Sequence, residues 1–178
     1  MPLKSTAERY GLVAITIHWV TALTIFAMLG SGLAAANSAD PAAEAAILRV
    51  HAIMGICIGV LTVLRILWWL AADRRPAAPS GMPGWQAIAS KSVHYGLYGV
   101  ILVMVSSGVA TLLLTGASQQ IFGGGALPLP DFSAVPPYSA HGILARLLIV
   151  LMLGHIGAAL YHQFIRGDRL LARMGLGR

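Results

Sequence analysis

Six of the 178 residues are histidine, and all six fall within or at the edge of long apolar runs. An imidazole in such a place can carry a proton, ligate a metal or hydrogen-bond a neighbouring helix. His141 and His155 are 14 residues apart. At 100° per residue that step returns to within about 40° of its start, so the two share one helix face roughly 21 Å apart along the axis. His51 and Arg65 repeat the same step. By depth in their runs, His18 is placed to meet His155, and His51 to meet His141. Two facing imidazoles inside an apolar bundle suit the iron of a bis-histidine haem. Zinc would ask for four ligands, often thiolate or carboxylate, whereas the apolar runs hold no Asp or Glu and a single Cys. Copper is less apt. Interhelical hydrogen bonding explains any one of these histidines alone; four at matched depths point to a cofactor.

Long apolar helices must position them. The chain is 57% hydrophobic and 10% charged, with a mean hydropathy of +0.77. A soluble domain carries about 25% charged residues, so this composition cannot cover a water-facing surface. Four stretches meet the length of about 20 residues that a spanning helix needs. They run over about 11–36, 50–72, 92–116 and 140–165. Gly123, Gly124, Gly125, Pro128 and Pro130 follow the third. The fold class expected is all-α: an integral membrane four-helix bundle forming one domain over 1–178. A cleaved signal peptide is the rival reading of the first stretch, since Ala34 to Ala39 resembles a cleavage site. Its apolar core is longer than the roughly 7–15 residues of a signal peptide, and it holds His18.

Lys and Arg near helix ends set orientation. Lys4 and Arg9, then Arg74, Arg75 and Lys91, then Arg166, Arg169, Arg173 and Arg178 fall on one side. Both termini and the 73–91 connection are therefore expected in the cytoplasm, with 37–49 and 117–139 outside. Trp19, Trp68, Trp69 and Trp85 lie near the cytoplasmic boundary, as an interfacial belt would. No internal repeat or low-complexity tract is evident. The net charge of +6 reads as topology rather than as a nucleic-acid surface. Cys57, alone in an apolar run, reads as a small packing residue without a disulfide.

Arg65 and Arg146 lie inside predicted spans. A guanidinium there needs an anion, and a haem propionate serves; the alternative for each is snorkelling to a headgroup. Gly55 and Gly59 after His51, and Gly154, Gly157 and Ala158 around His155, let a flat ring approach the backbone or simply let helices pack closely.

These residues resemble the bacterial cytochrome b561 family over essentially the whole chain. The resemblance rests on Arg9-Tyr10, Ile17-His18-Trp19, Val50-His51 with Gly55 and Arg65, Val93 to Tyr98, Ala140-His141, and Gly154 to Phe164. It implies a di-haem protein of the bacterial inner membrane, with two haems b held by His18 with His155 and His51 with His141. A competing assignment puts His94 in place of His18 or His155. The resemblance makes His94, His162 and Lys91 candidates for a ubiquinone site. It also implies one-electron transfer from superoxide at the periplasmic face to ubiquinone near the cytoplasmic face. A second reading is an electron-relay subunit joining a periplasmic protein partner, such as a hydrogenase or dehydrogenase, to the quinone pool. A third is a membrane scaffold without redox function, against which the histidine geometry argues. Whether the 117–139 connection caps the outer haem through Phe122, Phe132 and Tyr138 stays open at this stage.

Overall fold

A computed structural model describes residues 2–79, 81–125 and 127–177; Arg178 lies outside the described residues. All regular structure among them is helical. The elements are α1 (Leu12–Ala36), α2 (Pro41–Leu67), α3 (Gly84–Thr115), α4 (Ala117–Gly123), α5 (Pro136–Leu160) and α6 (Leu170–Arg173). A wide π turn prolongs α2 over Trp68–Ala72 and α5 over Tyr161–Arg166. Four helices, α1, α2, α3 and α5, are long and apolar enough to cross a membrane.

The first span agrees with expectation, but the other three begin earlier. α2 starts at Pro41 rather than near 50, α3 at Gly84 rather than 92, and α5 at Pro136 rather than 140. The reason is local. The Asp40 carboxylate accepts from the Ala42 N–H at 3.0 Å and Pro41 takes the first helical position, a strong start signal. Apolarity marks only the lipid-facing length, whereas the helix runs past it. With its π turn, α2 covers 32 residues, or about 48 Å, against a hydrocarbon core of about 30 Å. The 37–49 connection therefore shrinks to 37–40, and His51 and His94 sit well inside their helices instead of opening them. Gly116 ends α3 at φ 74°, where a side chain would be strained.

α1 packs chiefly on α2, and α3 on α5; contacts between α2 and α3 join the two pairs. Lipid is as apolar as the side chains, so close packing rather than water exclusion holds such helices together. Gly59 shows it: a Cβ there would stand 3.1 Å from Val105 Cγ1, so the glycine lets α2 approach α3. The core is a small cluster of Ile25, Ile58, Val100, Ile101 and Leu148. Large apolar side chains such as Leu23, Phe26, Leu113 and Val150 point outward instead, as lipid-facing residues do. Cys57 is exposed on this outer surface and does not pack in the core.

Both termini lie at one end of the bundle and are knitted there. Tyr10 N–H donates to Arg173 O, and Ala77 N–H to Ala7 O. Arg173 donates to Glu8 O and Ala77 O, each at 2.7 Å. The indoles of Trp19 and Trp68 donate to Met174 O and Asp73 at 3.0 and 3.1 Å. Asp73 is the hub: the Ser5 N–H and hydroxyl reach its carboxylate at 3.0 and 2.8 Å. Burial raises the Asp73 carboxyl, but hydrogen bonds from Ser5, Arg74 and Trp68 outweigh it and hold it below the ordinary aspartate range. A lowered folded-state value stabilises at high pH and is lost as pH falls. Asp73→Asn is therefore expected to loosen the N-terminal strap by about 1–2 kcal/mol above pH 5, a discounted figure for hydrogen bonds to a largely wet charge. The difference from the parent should begin to shrink as the pH falls through about 4 and vanish only below the lowered folded-state value. Amide exchange at Ser5 against pH checks it; a pH-independent difference would contradict the assignment.

Candidate functional site

The histidines gather at two levels. At the end remote from the termini, the His51 and His141 rings face each other with centres 6.2 Å apart and planes at 65°. At the terminal end, His18 and His155 face each other with centres 6.1 Å apart and planes at 74°. A metal–imidazole bond is about 2 Å, and a ring centre lies about 1 Å behind its nitrogen. Two rings on opposite sides of one iron therefore have centres roughly 6 Å apart. Both pairs have that separation. His94 and His155 are closer, at 5.0 Å and nearly perpendicular, which is too short for ligands on opposite sides of one iron. Among the described residues, no three His, Cys, Asp or Glu side chains gather to hold a bare metal ion. Paired imidazoles suit a cofactor that brings the remaining ligands itself, as a porphyrin does.

The surroundings of each pair fit such a group. Ser31 on α1 places its hydroxyl 2.9 Å from His51 Nδ1, and Ser107 on α3 places its own 3.1 Å from His141 Nδ1. Each serine is followed by a glycine beneath the same ring. A Cβ at Gly32 would lie 3.3 Å from His51 Cε1, and one at Gly108 would lie 3.4 Å from His141 Cε1. At the terminal level, Arg65 Nη1 lies 3.1 Å from His18 Nδ1, and its guanidinium stands 5.7 Å from the centre of the Tyr98 ring. Among the described residues, Arg65 Nε is buried without a partner, as are the hydroxyls of Thr21 and Thr62, one turn from His18 and Arg65. Buried polar atoms are almost always bonded, and the orphaned guanidinium nitrogen beside the pair is a donor that an anionic group could satisfy. The core cluster lies midway in every helix between its upper and lower polar residues, so an apolar slab separates the two levels.

The remaining sequence candidates separate. His94 joins the terminal level, its Nδ1 donating to Ser90 O at 2.6 Å. His162 is buried in the π turn and bonded to Asp168 at 2.5 Å. Lys91 and Arg146 are exposed and are not brought to either ring pair by any hydrogen bond among the described residues. Arg75 lies over the rings of Trp69 and Tyr95, 5.6 and 5.2 Å from their centres. With Asp73 and Tyr98 these line a cleft of about 600 Å³ between α2 and α3.

The 117–139 connection is partly helical. α4 packs on α2 and α3 through fully buried Ala117 and Ile121. Arg49 Nε donates to Ile121 O at 2.5 Å. Phe132 stacks on Tyr138 at 6.1 Å, while Phe122 and Tyr138 are about half exposed.

Sequence reasoning missed Ser31, Gly32, Ser107 and Gly108, and also the repeat that marks them. Met28-Leu-Gly-Ser31-Gly32 and Met104-Val-Ser-Ser107-Gly108 share a Met-x-x-Ser-Gly pattern, and each serine follows a histidine by 13 residues, His18 and His94. With the 14-residue step shared by α2 and α5, the helix pair α1–α2 is echoed by α3–α5. Where the second pair has His155, the first has Arg65.

Four membrane-crossing helices that present paired imidazoles at two depths define a membrane electron-transfer cytochrome. The chain belongs to the prokaryotic cytochrome b561 family, whose model matches residues 9–177. Membership makes it a haem b protein and a multi-pass protein of the bacterial inner membrane. It is 29% identical to "Cytochrome b561 homolog 2" of Escherichia coli K12, over 98% of this chain and 95% of that protein. It is 27% identical to "Probable superoxide oxidase CybB" of Yersinia pestis, over 94% and 96%. It is 29% identical to "Cytochrome b562" of Cereibacter sphaeroides, over 93% and 94%.

Proposed function

We propose that the chain holds two haems b and carries electrons from superoxide at the periplasmic face to ubiquinone near the cytoplasmic face. The carrying observation is the pair of ring separations near 6 Å, one at each depth. His51 and His141 are the proposed ligands of one haem, and His18 and His155 those of the other. Arg65, with its orphaned Nε, is the proposed propionate partner; exposed Arg146 fits that role less well. The Lys and Arg gathered at the terminal end support a cytoplasmic side for both termini, and on that reading the His51–His141 level is the periplasmic one.

Haem b supplies a one-electron carrier when bound. Two superoxide ions each give up one electron and leave as dioxygen, and one ubiquinone takes those two electrons and two protons. His94, His162 and Lys91 remain the proposed surroundings of the quinone. The cleft under Arg75, Trp69 and Tyr95 lies at the same end and offers aromatic faces to a flat ring. The similarity to a protein named a probable superoxide oxidase supports superoxide as donor. Electrostatic steering lends little: an anion is drawn by positive potential, and Arg49 at the outer end stands against Asp40, Glu44 and Asp131.

The test supplies superoxide and ubiquinone to the purified protein and follows quinol. Quinol should form at one per two superoxides consumed, with no further protein present. If the haems are reduced only after a periplasmic redox protein is added, the chain is an electron relay and superoxide is not its donor.

A further inference from the structure

The two hydroxyls at the periplasmic level do more than touch their rings. Ser31 Oγ also lies 3.1 Å from Met28 O, and Ser107 Oγ 2.8 Å from Met104 O, each as donor to the carbonyl three residues back. A hydroxyl has one proton to donate. With that proton committed to the carbonyl, the oxygen meets the imidazole as an acceptor, so Nδ1 is the protonated nitrogen of both His51 and His141. Nε2 then keeps its lone pair on both rings, the form a metal requires. The terminal level lacks this device. There the group beside His18 Nδ1 is the Arg65 guanidinium rather than a hydroxyl.

We infer that Ser31 and Ser107 are positioning residues that fix the tautomer and tilt of His51 and His141 and raise their donor strength toward a shared iron. The inference rests on the reading that these two histidines ligate one haem. An acceptor on Nδ1–H makes an imidazole a stronger base, which favours ferric over ferrous iron; loss of such a partner typically costs 10–100-fold in metal affinity. Two features argue that the contact is built rather than incidental. It occurs twice, on separate helices, within the same Met-x-x-Ser-Gly pattern. In both copies the following glycine leaves the space into which the held ring settles. The copies also differ in a way that makes a graded prediction. His141 Nδ1 has a second acceptor, Met104 O at 3.0 Å, whereas Ser31 is the only partner of His51 Nδ1 among the described residues.

The test is redox potentiometry of the purified holoprotein, followed optically and by electron paramagnetic resonance. Ser31→Ala should raise the midpoint of the haem that His51→Ala removes, by roughly tenfold in ferrous over ferric preference, or about 59 mV. Ser107→Ala should raise it less, because Met104 O remains. Ser31→Thr, which keeps the hydroxyl, should return it toward the parent value, and the other haem should not move in any variant. Loss of that haem from Ser31→Ala with retention in Ser31→Thr would carry the same conclusion. An unmoved midpoint in Ser31→Ala, in a protein whose His51→Ala variant does lose that haem, overturns the inference alone. Retention of both haems in His51→Ala overturns the ligand reading beneath it as well.

Discussion

Replacing either His51 or His141 with alanine is expected to remove one and the same haem and leave the other in place. Haem content should fall from two to one per chain in each single variant, and no further in the double variant. The ring pair at 6.2 Å is the reason: His51 and His141 would hold one iron together, and either imidazole alone would hold it poorly. The fold should survive, because neither ring belongs to the apolar cluster that joins the helices. Haem extraction as the pyridine complex gives the count, and the reduced-minus-oxidised spectrum shows which band has gone. Two haems remaining in either variant, or different bands lost from the two, would refute the pairing.

At the other level three histidines compete for two places, and geometry ranks them. His18 and His155 have the spacing of opposed ligands, whereas His94 and His155 are too close. His18→Ala and His155→Ala should therefore each abolish the second haem. His94→Ala should keep both haems at full content and instead slow quinol formation, since a proton-capable group beside the proposed quinone is lost. Spectra and haem counts of the three variants decide it. A haem lost from His94→Ala and kept in His18→Ala would make His94 the ligand.

Much of this was legible in the residues. The 14-residue step on α2 and α5 needs only the pitch of a helix to put His141 and His155 on one face. Long apolar runs with at most one charge each showed four spans for the same simple reason. What was hidden has physical causes. The true start of α2 lies in Asp40 and Pro41, a capping signal outside the apolar window. Ser31 and Ser107 read alone as ordinary helix polar residues that bond the preceding turn; only their twinned spacing from His18 and His94 singles them out. Asp168 reaches His162 across a π turn, and no regular helical spacing joins residues six apart. The direct approach of Arg65 to His18 depends on how α1 and α2 rotate against each other, which no single helix records.

The slab of Ile25, Ile58, Val100, Ile101 and Leu148 acts as a selective insulator. Electrons tunnel through close-packed hydrocarbon over such a span, whereas protons need a chain of hydrogen-bonding groups, and this layer offers none of its own. Current crossing it is therefore uncompensated charge. In the proposed direction each electron moves toward the negative interior, against about 2.3 kcal/mol for every 100 mV of membrane potential traversed. The protein then charges the membrane rather than discharging it, and its turnover should slow as the membrane is energised.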